Sequence, residues 1–244
     1  MAKANSLIKV SMKLSSLTKF EKALWLVSML VITVSFFFGI EKNPLTLVAS
    51  LIGVTSLIFI AKGNVWGQIL MIIFSAIYGY ISYKTRYYGE MITYVGMTGP
   101  MAVMALITWL KNPFEGEENQ VAVAEITPFK LIVTSILTII VTTIFYFILK
   151  YFNTANLILS TLSVLTSFFA ASLTFLRSPY YALGYAANDV VLIVLWVLAS
   201  MENPGYIPMM MCFVVFLVND IYGFVSWRKM AENQKKRIRE IIGE

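Results

Sequence analysis

The 244-residue sequence predicts an all-α polytopic membrane protein of eight transmembrane helices, with two parallel three-helix repeats joined by a linker helix (a 3+1+3 core) and one extra N-terminal helix. Three observations carry that fold class. Hydrophobic residues make up 59% of the chain and charged residues 13%, whereas a water-soluble domain carries about a quarter charged residues. Eight apolar runs have the length of about 20 residues that crosses the hydrocarbon core. Lysines and arginines fall mostly into alternate connections between those runs, the asymmetry that orients a membrane protein.

In order, the runs cover residues 24–40, 45–61, 65–83, 91–110, 129–149, 157–176, 180–200 and 206–226. The first reads as a span rather than a cleaved signal peptide, because a long polar lead precedes it and no small-residue cleavage site precedes Glu41-Lys42-Asn43-Pro44. With Met1 inside, all 19 basic residues except Lys42, Lys84, Arg86 and Lys150 fall on the inner side. Both termini are therefore expected in the cytoplasm.

Sliding the chain on itself by about 115 residues lays Thr46 to Trp109 over Ser160 to Trp227. Lys62-Gly63 falls on Arg177-Ser178, Trp66 on Tyr181, Gly89 near Gly205, and Trp109 near Trp227. A three-span unit inverts when repeated directly, and the single span at 129–149 restores its orientation. Parallel repeats of this kind are a transporter plan, with the substrate at their interface near the midplane and access alternating between the two sides. The chain divides accordingly into 1–44 (tail and extra helix), 45–110 (first repeat), 111–149 (loop and linker helix), 150–228 (second repeat) and 229–244 (basic tail).

Composition excludes several chemistries. The absence of histidine removes histidine-based zinc sites, general bases and proton relays. The single cysteine, Cys212, lies in an apolar run and forms no disulfide framework. The net charge of +6 resides in tails that flank spans, so no nucleic-acid surface is expected. An intramembrane enzyme would need a nucleophile with its base, or a metal site, and no such set is present. No catalytic residue, metal or cofactor is expected.

Polar residues held at membrane depth are costly and mark function. Asn188-Asp189 in the seventh span and Asn219-Asp220 in the eighth are the two such pairs. An amide suits sugar hydroxyls or a carboxamide, and a carboxylate suits a cationic ring; the same side chains can also simply join helices. Tyr181, Tyr185 and Asn188 fall on one helical stripe, and with Trp196 and Tyr222 they are candidate aromatic and polar walls of a substrate site. Gly96-Met97-Thr98-Gly99-Pro100 interrupts the fourth span, so Gly99 and Pro100 form a gate, a hinge or a packing kink. Glu115, Glu117, Glu118 and Glu125 of the 111–128 loop read as solvated, and the segments before Trp25 and after Trp227 as short amphipathic helices on anionic headgroups.

Lys62-Gly63, Tyr78-Gly79-Tyr80, Arg86-Tyr87-Tyr88-Gly89-Glu90, Asn188 and Asn219-Asp220-Ile221-Tyr222-Gly223 together resemble the Pnu family of bacterial vitamin transporters over about residues 45–230. The resemblance implies a SWEET-like core, facilitated diffusion of nicotinamide riboside without ion coupling, and trapping of the imported substrate by a cytoplasmic kinase. It also implies a homo-oligomer, a trimer. Members that carry nicotinamide riboside have Trp-x-x-Trp-x-x-x-Asn where this chain reads Tyr181-x-x-Gly184-x-x-x-Asn188. Only the asparagine matches, which leaves a deoxynucleoside, thiamine or riboflavin as alternative substrates, and a non-transporting membrane receptor as a remote one. Asp189 and Asp220 favour a cation.

Overall fold

The structure is a computed structural model that describes residues 17–39, 44–84, 88–115 and 120–242. Lys3, Lys9, Lys13, Glu41, Lys42, Asn43, Arg86, Tyr87, Glu117 and Glu118, used in the sequence reading, lie outside the described residues. Among the described residues eight helices are long and apolar enough to cross a membrane, and the chain is a multi-pass membrane protein. They are α1 (Lys19–Phe38), α2 (Pro44–Ala61), α3 (Val65–Lys84), α4 (Tyr88–Lys111), α5 (Pro128–Tyr151), α6 (Leu157–Phe175), α7 (Tyr181–Glu202) and α8 (Ile207–Ile242). Lys19, Lys62, Lys111, Lys130, Arg177 and Arg228 share one face of the bundle, called the basic face below.

Helix ends follow local chemistry. Thr18 and Glu21 form a capping box, in which the Thr18 amide donates to Glu21 Oε2 at 2.6 Å and the Glu21 amide donates to Thr18 Oγ1 at 3.2 Å. This starts α1 at Lys19, before the predicted residue 24. Pro44 and Pro128 occupy first-turn positions of α2 and α5, where a missing amide hydrogen is harmless. The predicted interruption of the fourth span is a π-turn over Tyr94–Thr98, closed by the Gly99 amide on the Tyr94 carbonyl. A correction applies to the C-terminal end. The segment after Trp227 is not a separate short helix: α8 continues unbroken to Ile242, because its second half has Met230 and Gln234 buried against the rest of the chain.

Two seams join the halves of the bundle. In one, α2 packs on α8; in the other, α4 packs on α6. Each is covered from outside. α1 lies on the α2–α8 seam, where Ile32, Val54, Cys212 and Val215 share one apolar cluster. α5 lies on α6 beside α4, where Met97, Phe145, Leu149 and Val164 share another.

The basic face is densely hydrogen-bonded. The α2–α3 turn folds with the Gly63 amide on Ile60 O at 2.8 Å and the Asn64 amide on Phe59 O at 2.9 Å. The α6–α7 turn repeats this with the Arg177 amide on Thr174 O at 3.0 Å and the Ser178 amide on Leu173 O at 2.9 Å. Gly63 (φ 65°) and Arg177 (φ 59°) both sit in the left-handed region that such helix-ending turns require. Geometrically, then, Gly63 matches Arg177, a one-residue shift from the sequence alignment. Two tryptophans bond across the halves in reciprocal fashion: Trp109 Nε1 on α4 donates to Thr174 O at 3.0 Å, and Trp227 Nε1 on α8 donates to Ile60 O at 2.8 Å.

The loop between α4 and α5, expected as a solvated linker, crosses this face as an extended strap. The Val121 amide donates to Gly63 O at 2.9 Å and the Ala124 amide to Arg177 O at 3.0 Å, so one strand is tied to both turns. Gln234 of α8 holds the strap in place, accepting from the Val123 amide at 2.8 Å and donating to Val121 O at 3.0 Å. Glu115 and Glu125 do lie at the surface, and Glu125 pairs with Lys235.

Candidate substrate site

α7 and α8 run side by side, which brings their two polar pairs into the bundle. Asn188, Asp189, Asn219 and Asp220 are all buried. Adjacent residues on a helix point about 100° apart, so each pair divides its duties between two neighbours.

Asp189 and Asp220 turn toward each other, with their carboxyl groups within hydrogen-bonding reach. Asp189 Oδ2 has no donor among the described residues, and no lysine or arginine forms an ion pair with either acid there. Two carboxyl groups this close cannot both stay ionised in a buried site, so the pair keeps at most one negative charge, and that charge attracts a positively charged group.

The two asparagines face other helices. Asn188 Oδ1 accepts from Ser163 Oγ at 3.1 Å and Thr166 Oγ1 at 2.9 Å, both on α6. Asn219 Nδ2 donates to Ser28 Oγ on α1 at 2.9 Å and to Val215 O at 2.8 Å, while its Oδ1 has no partner among the described residues.

The predicted aromatic residues separate into three places. Tyr181 and Tyr185 stay together, with ring centroids 6.2 Å apart, and Tyr181 packs on Trp227 at 4.9 Å. Tyr222 points to α1 instead: its hydroxyl donates to Glu21 Oε1 at 2.8 Å and its ring lies 5.4 Å from that of Phe20. Trp196 lies about 16 Å along α7 from Tyr185 at 1.5 Å per residue, where its ring meets Tyr206 at 5.5 Å. Of the hinge pair, Gly99 closes the π-turn against Ser75 of α3, and Pro100 is exposed on the outer side of α4.

A narrow cavity lies between the halves, with room for little more than a water molecule. Its walls come from α3 (Gln68, Met71), α4 (Thr98, Met101, Ala102, Ala105), α6 (Ala171, Thr174), α7 (Tyr185) and Ile60 at the end of α2. Tyr185 connects this cavity to the acid pair, being close to both Asp220 and Asp189. The π-turn places Thr98 in the wall.

Three side chains here were not legible as site candidates. Gln68, 2% exposed, lines the cavity with its Nε2 unpartnered among the described residues; three residues into its span, it reads from sequence as interfacial. Glu21, assigned to the tail, is buried in α1, where Lys62 Nζ contacts both of its oxygens at 3.1 and 3.2 Å. The Thr18-Lys19-Phe20-Glu21 capping-box pattern was the available signal. Glu90, which falls between the third and fourth apolar runs, faces the Tyr78 hydroxyl beside Tyr94, whose ring centroid lies 4.4 Å from that of Tyr78.

Comparison with known proteins agrees with this architecture. Residues 43–229 match the family model described as nicotinamide mononucleotide transporter. The nicotinamide riboside transporter PnuC of Neisseria mucosa is 26% identical over 220 residues, covering 88% of this chain and 83% of that protein. The nicotinamide riboside transporter PnuC of Haemophilus influenzae is 21% identical over 212 residues, covering 86% and 91% respectively. A crystal structure of the vitamin B3 transporter PnuC superposes with a TM-score of 0.75 at 25% identity, covering 89% of this chain and 94% of that one.

Proposed function

This chain belongs to the nicotinamide mononucleotide transporter family, and we propose that its substrate is nicotinamide riboside, taken up by facilitated diffusion with alternating access and without ion coupling. It is a membrane transporter and not an enzyme. The observation that carries the substrate reading is the buried Asp189–Asp220 pair beside Tyr185, with no lysine or arginine paired to it among the described residues. Nicotinamide riboside brings a flat pyridinium cation, which the charge kept by the acid pair attracts and an aromatic face accepts. Its phosphorylated form would bring a dianion to the same carboxylates. All lysines and arginines lie in span ends, loops and tails, so the phosphate would have no partner at that depth.

On this reading Asn188 and Asn219 serve polar groups of the substrate, Tyr181 and Tyr185 are its aromatic wall with Trp196 farther along the path, and Gly99-Pro100, at the end of the π-turn, is the hinge. The reciprocal tryptophan bonds and matched turns support two parallel repeats, divided as the sequence suggested. The basic face lies in the cytoplasm of a bacterial cell, by the excess of lysine and arginine there. A cytoplasmic kinase then traps the imported riboside, and the functional unit is a trimer.

Uptake of radiolabelled nicotinamide riboside into proteoliposomes, with unlabelled thiamine, riboflavin and deoxynucleosides as competitors, tests this. Saturable uptake inhibited by nicotinamide riboside alone is the expected result. Competition by deoxynucleosides alone would transfer the substrate to that class, and binding without uptake would make the protein a receptor.

A further inference from the structure

We propose that Gln68 reads the carboxamide of the substrate, with Nε2 donating to the carboxamide oxygen and Oε1 accepting from its NH2 group; this rests on the riboside reading above. Gln68 is 2% exposed and its Nε2 has no hydrogen-bond partner among the described residues. A buried donor without an acceptor costs stability, and such a group in a native fold calls for an explanation. Its surroundings supply one, because the side chain lines the cavity between the two halves of the bundle.

The position is held rigidly from behind. Ser56 Oγ on α2 donates to the carbonyl of Gly67 at 3.0 Å. Gly67 itself lies so close to α2 that a Cβ there would sit 2.6 Å from the Ile60 amide nitrogen. The start of α3 is thereby fixed, and Gln68 is presented from a preorganised backbone. Met71 stands beside it on α3, and Met101, Thr98, Thr174 and Tyr185 stand across the cavity. Two thioethers and a phenol ring suit a flat heterocycle, while a primary amide is the side chain that can match a carboxamide in both donor and acceptor.

The arrangement is one-sided. Relative to Arg177, Ala182 occupies the place that Gln68 holds relative to Gly63, and it is a small, fully buried residue. A carrier with matched halves that binds an asymmetric molecule needs a reader on one half alone, and Gln68 is placed to be it.

Calorimetric titration of purified full-length protein, wild type and Gln68→Leu, with nicotinamide riboside and with pyridinium riboside, which lacks the carboxamide, tests the assignment. Gln68→Leu is expected to weaken nicotinamide riboside by at least about tenfold and to leave pyridinium riboside unchanged, while melting at or above the wild-type temperature. Gln68→Glu, which keeps the acceptor but loses the donor, is expected to weaken nicotinamide riboside as well. Equal affinity of wild type and Gln68→Leu for nicotinamide riboside would overturn the proposal. So would an equal loss of both ligands, which would mark a structural role. Failure of the wild type to bind nicotinamide riboside would instead remove the substrate reading, and the role of Gln68 with it.

Discussion

The basic face and the centre of the bundle treat polar groups in opposite ways. At the basic face the turn amides at Gly63, Asn64, Arg177 and Ser178, the indoles of Trp109 and Trp227, and the strap amides all find acceptors. Trp66 Nε1, at the start of α3, and Arg177 Nε, in the α6–α7 turn, are exceptions. Deeper in the bundle, Asp189 Oδ2, Asn219 Oδ1, Gln68 Nε2 and Thr142 Oγ1 are buried and without a partner among the described residues. The contrast teaches where stability and function reside. One end is built from satisfied bonds that fix geometry, while the middle retains bonding capacity that a ligand can use.

Substitutions sharpen that contrast. The largest effect is expected from Asn188→Leu at the centre. It should reduce proteoliposome uptake of nicotinamide riboside by about 100-fold or more while the protein still purifies folded, because Thr166 keeps its bond to Leu162 O at 3.0 Å. Unchanged uptake would remove Asn188 from the site. At the basic face, Trp227→Ala should do the reverse. It deletes a fully buried ring and leaves Ile60 O without its indole, a loss of about 3–5 kcal/mol that a thermal melt in detergent would register. A melt unchanged within a degree would show that this end does not hold the fold.

Glu21→Gln tests the attachment of α1. Gln keeps an acceptor for Tyr222 but ends the charge pairing with Lys62, which remains partly exposed. A loss of about 1–2 kcal/mol is expected, below the figure for a fully buried pair, and raising the salt concentration should narrow the gap between mutant and wild type. The smallest effect belongs to Glu125. The hydrogen bond and charge of Lys235 hold its carboxyl below the usual range, so any stabilisation is present at neutral pH and fades as pH falls through that lowered value. Both groups are exposed, and Glu125→Gln should leave the melting temperature unchanged at pH 7.

The sequence made much of this legible and for physical reasons hid the rest. Eight spans, the helix break before Pro100 and the depth of Asn188, Asp189, Asn219 and Asp220 are written in hydropathy and in glycine and proline, which act locally. Which neighbour each side chain meets is not local. Asn219 and Tyr222 lie on an apparently suitable stretch of α8, yet α1 claims both, because the capping box draws Glu21 into the helix beside them. The end of the apolar run at 226 marks where lipid ends, whereas α8 continues because Met230 and Gln234 have protein to pack on. Gln68 was hidden by its place near a span end, where a polar side chain usually meets water.

The strap has a mechanical consequence. Between Val121 and Ala124 the chain is extended, at about 3.3 Å per residue, so it has almost no slack. It is hydrogen-bonded at one end to the Gly63 turn and at the other to the Arg177 turn, which belong to opposite halves of the bundle. A taut cord of this kind resists separation of its anchors while leaving them free to tilt. It makes this end of the molecule a fulcrum, about which equal rotations displace the far ends of the helices more than the near ones.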